Sequence, residues 1–159
     1  MSLPCVTEMN PEVRKYIESS VLCWLATSTP TGEPNVSPKE VFAAFGDNSI
    51  IIANIASPNT VKNIRSNKQV CISFIDVFVQ KGYQIKGVAS VIESGSPHYH
   101  EMEQILLSMT EGKFPFKSIT QIEIQRVKPI IAPKYILYPE TTEEQQIASA
   151  LDTYGVALK

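Results

Sequence analysis

The residues best suited to chemistry stand close together. The stretch NIASPNTVKNIRSN, residues 54–67, carries Ser57, Asn59, Thr60, Lys62, Asn63 and Arg65, with Pro58 where a first helical residue would sit. A helix start presents free backbone amides and a partial positive charge, which together form an anion site. Ser57 and Asn59 are each able to cap such a start, Thr60 adds a hydroxyl, and Lys62 and Arg65 add full charges. A phosphate is the natural occupant. Most helix starts bind only water, so from this segment alone an ordinary surface turn is the simpler reading.

A second feature lies upstream, where VSPKEVF places Pro38 inside an otherwise strand-like run. Proline cannot donate to a ladder, so the strand there is bulged, at an edge, or lifted from its partner. A locally unpaired strand exposes backbone groups that a planar heterocycle can hydrogen-bond. A bulge that merely helps to close a barrel explains the proline equally well.

The elements around these residues follow from periodicity and punctuation. Asn10-Pro11 opens a helix whose apolar face is Val13, Ile17 and Val21. VLCWLATST, NVSPKEVFAAF and SIIIANIA read as three strands, KQVCISFIDVFV as a fourth and QKGYQIKGVASVIES as a fifth. SPHYHEMEQILLSMTEGK reads as a helix with Met102, Ile105, Leu106 and Met109 on its apolar face. ITQIEIQRV is a sixth strand, and IIAPKYILY is a seventh or an extended edge containing Pro133. TTEEQQIASALDTYG closes the chain as a helix with Ile147, Ala148, Leu151 and Tyr154 as its apolar face, placed to cover a barrel end or to cross to a partner. Strands joined by short turns suit an antiparallel meander more than βαβ units, whose crossovers need longer helices. The expected fold is a single α+β domain over residues 1–159, mainly β: a six- to seven-stranded antiparallel barrel with flanking helices.

Composition narrows the function. The chain has 159 residues, a net charge of −2 and 43% hydrophobic residues, ordinary values for a globular domain. Neither nucleic acid nor a membrane is the expected partner, because the charge is not basic and no run approaches the span of a bilayer. The positive charge is local all the same: Lys62, Arg65, Lys68, Lys81 and Lys86 cluster, whereas Glu140, Glu143, Glu144 and Asp152 lie near the C-terminus. Three cysteines (Cys5, Cys23 and Cys71) with no CxxC argue against disulfides or zinc and suit a reducing cytoplasm. His98 and His100, like Glu101 and Glu103, have a spacing that turns them to different sides of a helix, so no shared metal is expected.

In order and spacing, VLCWLATSTPTGEPNVSPKEVF, IIIANIASPNTVKNIRSNKQVCISF and KGYQIKGVASVIES resemble the pyridoxamine 5′-phosphate oxidase-like, FMN-binding split-barrel proteins. The resemblance runs from about Val13 to Glu93. Its most specific pieces are S-P-N-T-x-x-N-I, the following N-K-x-V-x-x-S-F strand, and K-G-x-x-x-x-G-x-A. It implies a homodimer with FMN in a groove at the interface, and a small-molecule substrate or an electron donor such as NAD(P)H. It also implies that Ser57, Asn59, Thr60, Lys62 and Asn63 hold the phosphate, and that Val36, Ser37, Pro38 and Lys39 run along the flavin ring. Asn54 would reach the cofactor from the third strand, and Lys81 and Gly82 would approach it, often from the partner chain. Trp24 and Phe42 are candidates for the apolar wall, with core packing the better reading for Trp24. Thr60 stands where pyridoxamine oxidases proper carry a basic residue, which leaves the charge to Lys62. Their C-terminal arginine- and tryptophan-bearing segment is also missing, since Arg126 is the only arginine after residue 120 and no tryptophan follows it. The expected function is therefore a generic FMN-dependent oxidoreductase or electron carrier with no catalytic acid or base named. The alternative is a non-catalytic carrier or sensor of flavin, haem or deazaflavin on the same fold.

Overall fold

The computed structural model describes residues 8–158. Cys5 lies outside them. Seven strands form one antiparallel sheet: β1 (Cys23–Ser28), β2 (Pro34–Lys39), β3 (Phe42–Phe45), β4 (Ser49–Ala53), β5 (Gln69–Asp76), β6 (Lys81–Glu93) and β7 (Ser118–Ile131). Their order across the sheet is β2-β1-β5-β6-β7-β4-β3. Strands β2 and β3 are consecutive in the chain, joined by Glu40 and Val41 alone, yet occupy opposite edges. Such a link spans at most about 11 Å, so the sheet curls until its two edges almost meet. That is a split barrel, mainly β with helices around it.

The curl accounts for two departures from expectation. NVSPKEVFAAF is two strands on opposite edges, and pairing is a meander only locally, through β5-β6-β7. Pro38 lies on edge strand β2, paired with Trp24 of β1, where its missing N–H costs no ladder bond on the open side. Near the C-terminus, Ile130 and Ile131 finish β7. Pro133 then opens the short helix α4 (Pro133–Leu137), since proline suits a first helical position, so no further strand forms there.

Inward-facing Leu25, Ile50, Ile52, Ile72, Phe74, Ile85 and Ile122 fill the barrel. Helix α1 (Pro11–Ser19) closes it with Val13 and Ile17, and the Asn10 side chain caps that helix by accepting from the Val13 amide. Helix α3 (Tyr99–Thr110) covers the other face of β4 and β7 through Tyr99, Met102 and Leu106, packed on Ile51, Ala53 and Ile119. Coverage on both faces explains the unbroken apolar run of β4. Met109, assigned to the apolar face by spacing, is half exposed.

Helix α5 (Glu143–Tyr154) packs on its own chain at the β5–β6 turn. Tyr154 donates from its hydroxyl to the Val77 carbonyl (3.1 Å), and its ring meets Phe78 edge-on. Its buried residues are Gln146 and Ala150, one position away from the apolar stripe read from sequence. Trp24 is a clearer correction: strand alternation sends Cys23, Leu25 and Thr27 inward, leaving Trp24 outside and 47% exposed, while Phe42 packs in the core.

Candidate functional site

Helix α2 (Pro58–Ser66) is amphipathic in an unusual sense, because two of its three buried residues, Thr60 and Asn63, are polar. The third, Ile64, enters the core. Alternation on the neighbouring strands supplies matching partners, since Thr27 of β1 and Asn35 and Ser37 of β2 face the helix. Asn63 Nδ2 donates to Thr27 Oγ1 (3.1 Å), and Asn35 Nδ2 reaches both Thr27 Oγ1 and Thr60 Oγ1 (3.3 Å each). Ser37 Oγ and Thr60 Oγ1 share a hydrogen bond of 3.0 Å. A polar helix thus docks on a β-sheet with its inward polar side chains satisfied. The side chains of Thr60 and Asn63 serve as anchors, and the backbone amide of Thr60 stays at the helix start.

The outer side of α2 borders one cavity, and a second adjoins it at the residues that lead into the helix, the two sharing Ile55 and Ser57. One, of about 420 Å³, holds Lys62, Arg65 and the helix start, closed by Asn54 and Ser118. Arg65 is already paired with Glu93 at 2.5 Å, so Lys62 is the cation left for a ligand. Asn54 is fixed from both ends: its amide donates to Ser118 Oγ (3.2 Å) and its carbonyl oxygen accepts from Thr120 Oγ1 (2.9 Å). The other cavity, of about 400 Å³, is largely apolar, with Pro38, Val41, Ala53, Ile55 and Phe114 around Lys39 and Ser37.

Lys39 is only 6% exposed, and its Nζ donates to Ser57 Oγ (2.5 Å). Burial pulls its ammonium below the ordinary lysine range. Close by on β1, burial pushes the Cys23 thiol up to about 12, although Lys39 opposes the shift. Cys71 is raised for the same reason. With both thiols raised by burial, neither is poised as a nucleophile.

The structure therefore gathers Ser37, Pro38, Lys39, Asn54, Ser57, Asn59, Thr60, Lys62 and Asn63 around α2 and the β2 edge. Val36 is on the outer face of β2 and borders neither cavity. Lys81 and Gly82 are elsewhere in the chain. Along β5, Gln69 next to α2 pairs with Val88 whereas Asp76 pairs with Lys81, a separation of about 23 Å. Lys81 Nζ bonds Glu143 (2.7 Å) and lies 4.5 Å from the centre of the Tyr135 ring. Gly82 has its own structural reason, since a Cβ there would overlap the Phe74 carbonyl. His98 and His100 border neither cavity, and each pairs with a glutamate one turn on. Among the described residues no group of acidic, histidine or cysteine side chains is placed to hold a metal, and no helix is long and apolar enough to cross a membrane.

Sequence reasoning missed Phe114, Thr27 and Asn35. Asn35, Ser37 and Lys39 alternate along one strand, a legible sign of a polar inward face. Phe114 sits in an aperiodic loop and gives no such sign.

Residues 9–131 match the family model for pyridoxamine 5′-phosphate oxidase. The chain belongs to that family. No curated protein matches it. Solved structures that share the fold include HupZ of Group A Streptococcus (23% identity over 75% of this chain and 91% of that one, TM-score 0.65). An FMN-binding protein from Syntrophomonas wolfei is also similar (19%, 74% and 82%, TM-score 0.64), as is HutZ, the haem storage protein of Vibrio cholerae (18%, 77% and 93%, TM-score 0.58).

Proposed function

We propose that the protein binds FMN and uses it as an oxidoreductase or electron carrier, with NAD(P)H as a donor. The observation that carries this reading is the pairing of two adjoining cavities of complementary chemistry. The start of α2 with Lys62 suits a doubly charged phosphate, and the apolar cavity with Lys39 and Ser37 suits a flat ring bearing polar edges. FMN, when bound, supplies the hydride or electron transfer itself. The chain's own part is to neutralise the phosphate at Lys62 and the Asn59 and Thr60 amides, to exclude water with Val41, Ile55 and Phe114, and to place one cationic donor, Lys39, beside the ring.

The proposal includes a homodimer. Trp24, Val36, Ile75 and Val77 are apolar and more than a third exposed on or beside the outer face of β2, β1 and β5, the kind of surface a second copy covers. Lys81 and Gly82 would reach a flavin only from the partner, given their distance from α2. Free Cys23 and Cys71 suit the reducing cytoplasm.

A visible spectrum of the purified protein, taken after adding and removing excess FMN, tests the reading. A retained flavin spectrum is expected. Lys62→Ala is expected to weaken binding roughly 10- to 100-fold, the loss of one charge-assisted contact of about 1.5–3 kcal/mol. Colourless protein, or a variant that binds as tightly as the parent, overturns it. A Soret band instead of a flavin spectrum would favour a haem carrier, for which exposed His98 and His100 are the only histidines.

A further inference from the structure

We propose that Lys39 is a positioning residue: by holding the Ser57 hydroxyl, it keeps the start of α2 uncapped and open to a phosphate. The inference rests on the flavin reading above and assigns Lys39 a task that a contact with the ring would not.

Serine is among the best N-cap residues, and a serine in that position normally accepts a hydrogen bond from the second or third helical amide. Ser57 is the N-cap of α2 and makes no such bond. Helices α3 and α4 begin at His98 and Ala132, which are not capping residues, and have no side-chain cap. The contrast lies with the other two described helices that begin at a capping residue. Asn10 caps α1 through the Val13 amide (2.9 Å), and Thr142 caps α5 through the Gln145 amide (3.2 Å) in a complete capping box. At α2 the cap oxygen accepts instead from Lys39 Nζ, so no side chain caps Asn59 or Thr60.

Lys39 is built for this task. It is the last residue of β2 and more than nine-tenths buried, so its side chain cannot swing into solvent. An ammonium has three donors, and among the described residues Ser57 is the only partner of this one. Two donors are left beside the apolar cavity that Lys39 lines, next to the cavity holding Lys62. An unpaired buried cation next to an uncapped helix start is costly unless an anion completes the arrangement. Ser57, shared by both cavities, is where the two effects meet.

The consequence is a switchable competition. Without Lys39, the freed hydroxyl turns onto the Asn59 or Thr60 amide and competes with the phosphate for it. Removing that hydroxyl as well must then restore part of the phosphate affinity, which no loss of charge alone predicts.

The experiment measures FMN and riboflavin dissociation constants for the full-length parent, Lys39→Met, and Lys39→Met with Ser57→Ala. The ratio of the two constants isolates the phosphate from the ring. In Lys39→Met the FMN preference is expected to fall by at least about fivefold, the equivalent of one cap. In the double variant it is expected to recover by about that factor. Circular dichroism shows that each variant keeps its fold, and the riboflavin constant reports any loss of ring contacts common to both variants. Lys39→Leu, which likewise has no donor for Ser57, replaces Lys39→Met should methionine prevent folding. A fall without recovery makes Lys39 a simple charge and overturns the proposal, as does an unchanged ratio. A parent that binds neither flavin overturns the flavin reading along with it.

Discussion

Thr60 offers the sharpest test of how α2 is held. Its side chain is 1% exposed, and its hydroxyl joins Asn35 at 3.3 Å and Ser37 at 3.0 Å. Thr60→Val keeps the shape and removes that hub. Asn35 retains Thr27 as a partner, and both Asn35 and Ser37 are part-exposed, so water relieves part of the loss. Of the roughly 1–3 kcal/mol that a fully stranded polar group costs, about 1.5–2 kcal/mol in total is expected for the two. At this chain length each 1 kcal/mol moves the melting temperature by about 2–4 °C, which predicts a fall of about 3–8 °C in ligand-free protein. Thr60→Ser keeps the hydroxyl and loses one methyl, at about 0.8 kcal/mol. Thermal and urea unfolding of both variants checks the ranking. If Thr60→Val is as stable as the parent while Thr60→Ser is the weaker of the two, α2 is held by packing and the network is incidental.

Three further outcomes follow from the same fold. Burial places the Lys39 pKa below its ordinary 10.5, so between the two values the unfolded chain binds more protons and stability rises with pH; Lys39→Met is expected to melt higher than the parent at pH 7, with the gap narrowing towards pH 10.5, and a lower melting point with an unchanged pH slope refutes this. Gly82→Ala forces β5 and β6 apart at the Phe74 carbonyl and is expected to cost about 1–3 kcal/mol in urea unfolding, whereas Lys81→Ala, which loses a half-exposed ion pair, costs less than about 1 kcal/mol. Cys23, fully buried with its thiol raised to about 12, is expected to resist a thiol reagent at pH 8 in the native protein and to react on unfolding; equal native labelling of the parent and Cys23→Ser confirms it.

Much of this arrangement was legible in the sequence because it is written in local rules. Asn10-Pro11 and Ser57-Pro58 mark helix starts by cap and proline alone, and alternation along KGYQIKGVASVIES marks β6 without reference to any neighbour. What escaped was set by distant contacts. Trp24 lies in an apolar run, and only the strand's phase relative to the core sends it outward. The split of NVSPKEVFAAF is invisible locally because Glu40 and Val41 carry no turn signature; their strand changes edges because the sheet curls. The resemblance implies that Asn63 holds the phosphate, whereas its helix phase, shared with Thr60 and Ile64, turns its side chain towards Thr27. Ser57 looks like a cap, and only the arrival of Lys39 from a residue eighteen positions earlier takes its hydroxyl away.

The site is a consequence of how the barrel fails to close. In a fully hydrogen-bonded barrel β2 and β3 would pair, and the space beside them would be filled by the ladder. Here the chain crosses from one edge to the other in two residues, so the edges approach without pairing. Lys39 is the last residue before that crossing and Val41 the last within it. Both line the apolar cavity, and the Val41 carbonyl accepts from the Ala53 amide at 3.0 Å, stitching the crossing to the end of β4. The chain leaves β4 there and turns through Asn54 to Ser57 into α2, so the strand crossing and the helix start are brought side by side by the same closure. That junction sets an unpaired strand edge beside a helix start with no side-chain cap, the arrangement on which the proposed binding of a ring and a phosphate rests. Substitutions that complete the barrel at Glu40 and Val41 should therefore close the apolar cavity before they disturb the core.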